Sequence, residues 1–396
     1  MKCKLEDVAY FNPHESIKAG SMAKKVAMDK LQPFCRDIPE YEYAPFSGGA
    51  KFRNGDTIMA RITPCLENGK TAKVNILEND EVGFGSTEFI VFRAKEGISE
   101  EDYIYYLVCS PEVREPAIKS MVGSSGRQRV QTDVVQNLEI DLPDLDTQRK
   151  IGSLLRGLDD KIAINAKIND NLEQQAASLY YSMFVSYDYY PSIEFEESEL
   201  GRIPKGWKVL TLGDVTTNIR DRVHNNSYRV LSALNSGILQ PSDEFFTKQV
   251  FSKDIGNYIV VAENDFAYNP ARVNIGSLGI NDLGYIGCVS PVYVVFRTED
   301  KYQNFMRFFV KSKRFQEEVK TRASGSVRQA MNYTDFSLIR LAYPPKKAVH
   351  EFNAVVDPIW KTIKHLRQEN DKLSELRDYL LPRLMSGELD VSDVEL

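Results

Sequence analysis

Cysteine is scarce and scattered. Five occur in 396 residues (Cys3, Cys35, Cys65, Cys109, Cys288), none in a Cys-x-x-Cys pair, which argues against a disulfide framework or a zinc site and for reduced thiols. The four histidines (His14, His224, His350, His365) never approach metal-ligand spacing, so no metal is expected. No apolar run nears the roughly 18 residues of a membrane span, and Met1-Lys2-Cys3-Lys4 does not open a signal peptide. The expectation is a cytoplasmic protein with no membrane partner. A phosphate-cradling Gly-x-x-x-x-Gly-Lys-Ser/Thr is missing, and Asp56, Glu67, Glu78, Asp80 and Glu81 are too dispersed for an Mg²⁺ nuclease. Excess positive charge is also absent: 50 Lys and Arg stand against 56 Asp and Glu, net −6. Any nucleic-acid surface must therefore be local.

What is present is a globular composition, 42% apolar and 27% charged, in a chain long enough for two or three folding units. It is an internal duplication. Gln148 to Phe184 and Val349 to Met385 align without a gap. Both follow a 3,4 spacing: Ile151, Leu155, Leu158, Ile162, Asn165, Asn169, Leu172, Ala176, Leu179 in one, and Phe352, Val356, Ile359, Ile363, Leu366, Asn370, Leu373 in the other. That is a heptad seam. Two such helices bury their seams most directly against each other, as an antiparallel intramolecular coiled coil of about 55 Å at 1.5 Å per residue. The alternative is two amphipathic helices docked separately on their own domains. Asn169 and Asn370 hold equivalent seam positions, either buried to fix register or solvated.

The segments before the helices repeat as well. Leu5-Glu6-Asp7-Val8 echoes Leu212-Gly213-Asp214-Val215, and Gly55-Asp56 echoes Asn264-Asp265. Val91-Phe92-Arg93 matches Val295-Phe296-Arg297, and Arg127-Gln128 matches Arg328-Gln329. Short β-type runs such as Thr57 to Ile62, Phe89 to Phe92 and Val292 to Phe296 alternate with helical stretches over Tyr103 to Val108 and Asn304 to Val319. The predicted fold is α+β with a pseudo-twofold repeat: a domain over 1–144, a helix over 145–185, a second domain over 186–345, and a helix with its tail over 346–396.

Gly201-Arg202-Ile203-Pro204-Lys205-Gly206-Trp207 and the closing Leu376-Arg377-Asp378-Tyr379-Leu380-Leu381-Pro382-Arg383-Leu384-Met385-Ser386-Gly387-Glu388-Leu389, with Gln148 and Ser182-Met183-Phe184-Val185 bounding the first helix, resemble the DNA specificity subunit of type I restriction-modification enzymes. The resemblance covers the whole chain. It implies a non-catalytic subunit of two target-recognition domains, each reading one half of a bipartite target in double-stranded DNA. It implies also two methyltransferase subunits seated on the helices, with restriction/translocase subunits as further partners. This chain would hold no cofactor, S-adenosylmethionine being expected on the partner methyltransferase. Helix length would act as a ruler between half-sites. The first half lacks the Pro-Lys-Gly-Trp lead, and Val349 stands where the first helix has Gln148. Between landmarks the two domains differ, which predicts an asymmetric target.

Base reading calls for Arg, Lys, Asn or Gln on loops, with further polar groups on phosphates. In the first domain the candidates are Lys51, Arg53, Arg61, Asn68, Lys70 and the loop Arg127, Gln128, Arg129. In the second they are Arg220, Arg222, Asn269, Arg272, Asn274, Arg328 and Gln329. Arg61, Asn68 and Lys70, and Asn269, Arg272 and Asn274, are the expected base readers. The Gly/Ser-Arg-Gln loop in both halves fits either phosphate contact or internal packing.

Two other functions fit the sequence less well. Asn269-Pro270-Ala271-Arg272 superficially resembles the Asn-Pro-Pro-aromatic motif of adenine methyltransferases but departs from it at the third and fourth places. Gly83-Phe84-Gly85-Ser86 lacks the strand, helix and downstream acid of a cofactor-binding turn. A coiled-coil scaffold without DNA affinity leaves the paired α+β domains unexplained. No catalytic residue is therefore assigned.

Overall fold

The computed structural model describes residues 1–234, 237–245, 251–322 and 330–394. They form two compact units. The first holds Met1–Lys167 and Arg367–Leu396, the second Ile168–Leu366. The division falls inside the two long helices, Leu145–Phe184 and Lys346–Met385, each of 40 residues, so each unit owns part of both.

The two units repeat one sheet plan. In the first, Ala9–Phe11, Phe89–Ala94, Thr57–Ala60 and Thr71–Lys73 lie side by side in that order, and a second sheet orders Glu42–Pro45, Met22–Val26, Gly83–Gly85 and Lys51–Phe52. In the second unit Thr216–Ile219, Val294–Thr298, Phe266–Tyr268 and Leu278–Ile280 form one sheet; Leu239–Pro241, Arg229–Ala233, Gly287–Val289 and Ile259–Val261 form the other. The parallel pair Met22–Val26 with Gly83–Gly85 recurs as Arg229–Ala233 with Gly287–Val289.

The unbroken apolar runs follow from burial of the central strands on both faces. Ile58, Phe89 and Val91 face a core with Val26 and Phe52 of the other sheet. Their neighbours Met59, Ile90 and Phe92 face the helix side, with Tyr103, Leu107 and Leu155. The second unit alternates likewise, Ala267 and Val295 toward Leu231 and Val289, and Phe266, Tyr268 and Phe296 toward Phe305 and Phe352. Gly83–Gly85 is a strand and not a ligand turn. A Cβ on Gly85 would come within 2.5 Å of the Val26 carbonyl oxygen.

The repeated landmarks turn out to be structural. Leu5–Val8 and Leu212–Val215 are single helical turns. In each, the third residue's carboxylate accepts the N–H of the residue before the turn, Asp7 from Lys4 at 2.9 Å and Asp214 from Thr211 at 2.8 Å. Asp56 and Asp265, 0% and 1% exposed, each accept a fork of two bonds, from Arg93 Nε and Nη2 and from Arg297 Nε and Nη2. Each also accepts a backbone N–H three residues upstream, from Arg53 and from Ala262. Gly55 and Asn264 precede them with φ of +89° and +71°, a backbone that glycine and asparagine tolerate best.

The predicted seam is buried or half-buried at every position in both helices. In the first unit the helices run antiparallel, since Asp159 meets Arg377 while the later Asn165 meets the earlier Asn370. Asn165 is fully buried and its Nδ2 donates to Asn370 Oδ1 and Glu369 Oε2, both at 2.8 Å. In the second unit Tyr180 and Phe184 pack on Phe352. The expectation of one helix over Asn304 to Val319 is corrected to two, Gln303–Phe309 and Lys313–Arg322. Ser312 Oγ accepts the Phe315 N–H and starts the second afresh.

The motif Gly201 to Trp207 is also architectural. Phe195–Ser198 and Gly201–Pro204 pair as a hairpin, Gly206 turns the chain at φ +86°, and Trp207 packs on Phe184 and Tyr187. The first unit manages without it, because Lys2–Lys4 pairs with Glu139–Asp141 just as Lys208–Thr211 pairs with Arg340–Tyr343.

Candidate nucleic-acid interface

In the first unit the strand Thr57–Ala60 runs straight into Arg61. Its N–H donates to the Glu88 carbonyl and its own carbonyl accepts from Val130, both at 2.9 Å. Arg61 is thus clamped at both ends of its peptide. Beyond it, Ile62 bridges to Arg129 and the Thr63 N–H donates to the Gln128 carbonyl at 3.0 Å. Val122 and Arg129 exchange two backbone bonds of 3.0 and 2.9 Å, making residues 122–129 a hairpin. Its tip, Gly123 to Arg127, is exposed, and Gln128 is half-buried. Gly123 at φ +135° and Gly126 at φ +78° supply the turn, leaving Arg127 displayed to solvent.

Beside Arg61 lies a cleft of about 390 Å³. It is lined by the polar residues Lys51, Arg61, Asn12, His14, Glu15 and Thr87 together with Ala50, Phe89 and Val91. Lys51 Nζ donates to the Glu15 carbonyl at 2.6 Å and sits 5.6 Å from the Phe46 ring centroid. Arg61 Nε is shielded from solvent with no hydrogen-bond partner. The wall is kept thin by Gly49, whose φ is +112° and where a Cβ would fall 1.9 Å from the Gly85 carbonyl oxygen.

Several sequence candidates are turned to other work. Arg53 Nε donates to Glu15 Oε1 at 2.7 Å, and Arg93 Nη1 reaches the same oxygen at 2.8 Å. The Arg53 hydrogen bond outweighs burial and, with Arg93, holds the Glu15 carboxyl below its ordinary range. Lys70 Nζ turns inward to the Met28 carbonyl at 2.9 Å. Asn68 is half-buried in the Pro64 to Gly69 turn. Arg129 makes a forked pair with Glu88, with bonds of 2.7 to 3.0 Å. The first unit therefore brings together Lys51, Arg61, Arg127 and Gln128, and diverts Arg53, Lys70 and Arg129.

In the second unit Asn269 follows Phe266–Tyr268 as Arg61 follows its strand. Asn269 Oδ1 accepts the Ala271 N–H at 3.0 Å, so this side chain shapes a turn where a methyltransferase would hold adenine. Arg272 is exposed, Asn274 half-buried, and Met331 donates to the Pro270 carbonyl at 3.1 Å. Arg222 Nη1 bonds Asn257 Oδ1 at 2.6 Å. Arg220 lies within bonding reach of the Asn218 carboxamide once that amide is turned to satisfy both ends, at 3.1 and 3.3 Å. Arg328 and Gln329 lie outside the described residues.

Sequence reasoning missed Asn12, His14 and Thr87, which come to the cleft from segments remote from Arg61. The turn signal was there: Asn12-Pro13-His14 ends a strand, with Asn12 at φ +47°. Among the described residues no three His, Cys, Asp or Glu side chains gather as metal ligands, and no helix is long and apolar enough to cross a membrane.

Residues 7–174 match a family model described as the type I restriction modification DNA specificity domain. The HindI specificity subunit of a type I restriction enzyme from Haemophilus influenzae is 24% identical, over 89% of this chain and 90% of that one. The MjaIX specificity subunit from Methanocaldococcus jannaschii is 25% identical, over 76% and 71%. A crystal structure of a type I restriction-modification system S subunit from M. genitalium shares the fold at 12% identity, with a TM-score of 0.54 over 97% of this chain and 96% of that one.

Proposed function

We propose, from the premise that this chain belongs to the type I restriction modification DNA specificity family, that it is a non-catalytic subunit reading a bipartite, asymmetric DNA target. Each unit takes one half-site. Methyltransferase subunits seat on the long helices and supply S-adenosylmethionine and the chemistry, and a restriction subunit can join them. A flipped adenine reaches the partner because its amino group is sheltered in the stack. The observation that carries this reading is repetition of the frame without repetition of the surface. The same sheet order and the same buried Asp–Arg fork occur twice, while the strand followed by Arg61 in the first unit is followed by Asn269 in the second. One scaffold with two different polar edges suits two different half-sites.

The test is single-molecule methylation mapping of DNA from cells expressing the chain with its candidate methyltransferase, against the methyltransferase alone. A split adenine motif is expected only when this chain is present. Unchanged methylation, with the two proteins soluble and associated, overturns the reading in favour of a scaffold.

Helix length is part of the same proposal. Inserting four residues around Ala163 to Ala166, with a matching insertion in the other helix, adds about 6 Å of helix. The mapped spacer is then expected to lengthen by roughly two base pairs, at about 3.4 Å each. A spacer of unaltered length in a methylating complex counts against the ruler.

A further inference from the structure

We propose that the cleft between Lys51 and Arg61 is a phosphate subsite that seats one phosphodiester of the DNA backbone, leaving base reading in the first unit to the Arg127–Gln128 hairpin. The inference rests on the DNA-reading function above and divides its labour between two neighbouring features.

Shape comes first. Base edges lie on the floor of a groove and are reached by an element that projects, such as a helix or a β-ribbon. Arg61 does not project. It stands at the edge of a recess of about 390 Å³, its peptide bonded on both sides and its Nε turned out of solvent. A phosphate juts from the duplex and can enter a recess. The hairpin has the opposite form, with Gly123 to Arg127 exposed beyond the Val122–Arg129 pair and Gln128 half-buried at its base.

Charge agrees. Glu15, which also lines the cleft, has its carboxylate paired with Arg53 and Arg93, whereas Lys51 donates to a carbonyl, which carries no net charge. Arg61 Nε has no acceptor among the described residues. Two cations lining one recess offer their charge to an anionic oxygen from outside. Phosphate contacts of this kind fix register without reading sequence. Gly49 fits the same picture, because its missing side chain lets the wall close on Gly85 while the mouth stays open.

The experiment uses the complex with the partner methyltransferase, on duplex carrying the mapped motif. Variants are Arg61→Gln, Arg61→Lys and Lys51→Gln. Arg61→Gln and Lys51→Gln are each expected to weaken binding about tenfold and to lower the slope of log affinity against log salt by roughly 0.9, with the methylated motif unchanged. Arg61→Lys is expected to restore most of the affinity, because a phosphate accepts a point charge where a guanine edge demands the guanidinium fork. A changed base at one motif position in Arg61→Gln would show that Arg61 reads sequence and overturn the proposal, as would an unchanged salt slope. Retained methylation by Arg61→Lys guards against misfolding as the cause. A wild-type complex without motif-specific binding would overturn the underlying function itself, a result separable from any behaviour of the variants.

Discussion

Asp159→Ala is expected to destabilise the first unit by about 3 kcal/mol, at the lower end of the range for breaking a buried ion pair. Asp159 accepts the Tyr106 hydroxyl at 2.6 Å and Arg377 Nη1 at 2.8 Å, with side chains 7% and 12% exposed on the two charged partners. Burial pushes the Arg377 guanidinium toward losing its proton, and Asp159 more than reverses that, so its pKa lies above the ordinary value. Removing Asp159 strands a buried cation and a buried hydroxyl together. Asp378, which also bonds Arg377 but is largely exposed, keeps the loss from reaching the top of the range. At about 2–4 °C per kcal/mol, the unit should melt roughly 6–12 °C lower. Hydrogen exchange over 145–167 is the better readout, because two units need not unfold together. Asp159→Leu with Arg377→Met should recover most of the stability, since a buried pair replaced by apolar groups of similar size is often neutral. Failure of that double variant to outperform Asp159→Ala would mean the pair does more than hold the fold.

The repeated Asp–Arg fork yields a second prediction with an internal control. Asp56→Ala should cost about 3 kcal/mol and Asp265→Ala about half that. The contacts match almost bond for bond, but Arg93 is 28% exposed and Arg297 52%. Water can take over the donors of Arg297. In the first unit Asp56 also balances a cluster in which Arg53 and Arg93 would otherwise share Glu15 alone. Segment-resolved hydrogen exchange of Phe89–Ala94 and Val294–Thr298 in the two variants measures the difference. Equal losses would show that burial does not set the strength of this motif.

The second prediction concerns landmarks legible in the sequence, and the reason is physical. The gapless match of the long helices and the paired Asp56/Asp265 and Arg93/Arg297 persist in sequence because each needs one residue type in one geometry. The helical seam was legible because burial and a 3,4 period coincide from Ile151 to Leu179. What could not be read was which cations are already committed. Arg53, Lys70 and Arg129 look like the other basic loop residues, and their partners Glu15, the Met28 carbonyl and Glu88 lie tens of residues away. The break at Ser312 was missed because apolar spacing runs on across it. The cleft was missed because its rim is assembled from turns that share no periodicity.

The make-up of the first unit also bears on how the polypeptide is born. Residues 168–366 are one continuous stretch, whereas the first unit joins Met1–Lys167 to Arg367–Leu396, and Val391 and Leu384 lie in the same apolar cluster as Ile151 and Leu155. At about 5–20 residues per second, a ribosome that has finished Lys167 needs roughly 10–40 s more to reach Arg367. During that interval the intervening unit can fold from contiguous chain, while the one begun earlier waits with half a helical seam bare. The part translated first is thus the part completed last, and the nascent chain is most in need of a chaperone over residues 145–167.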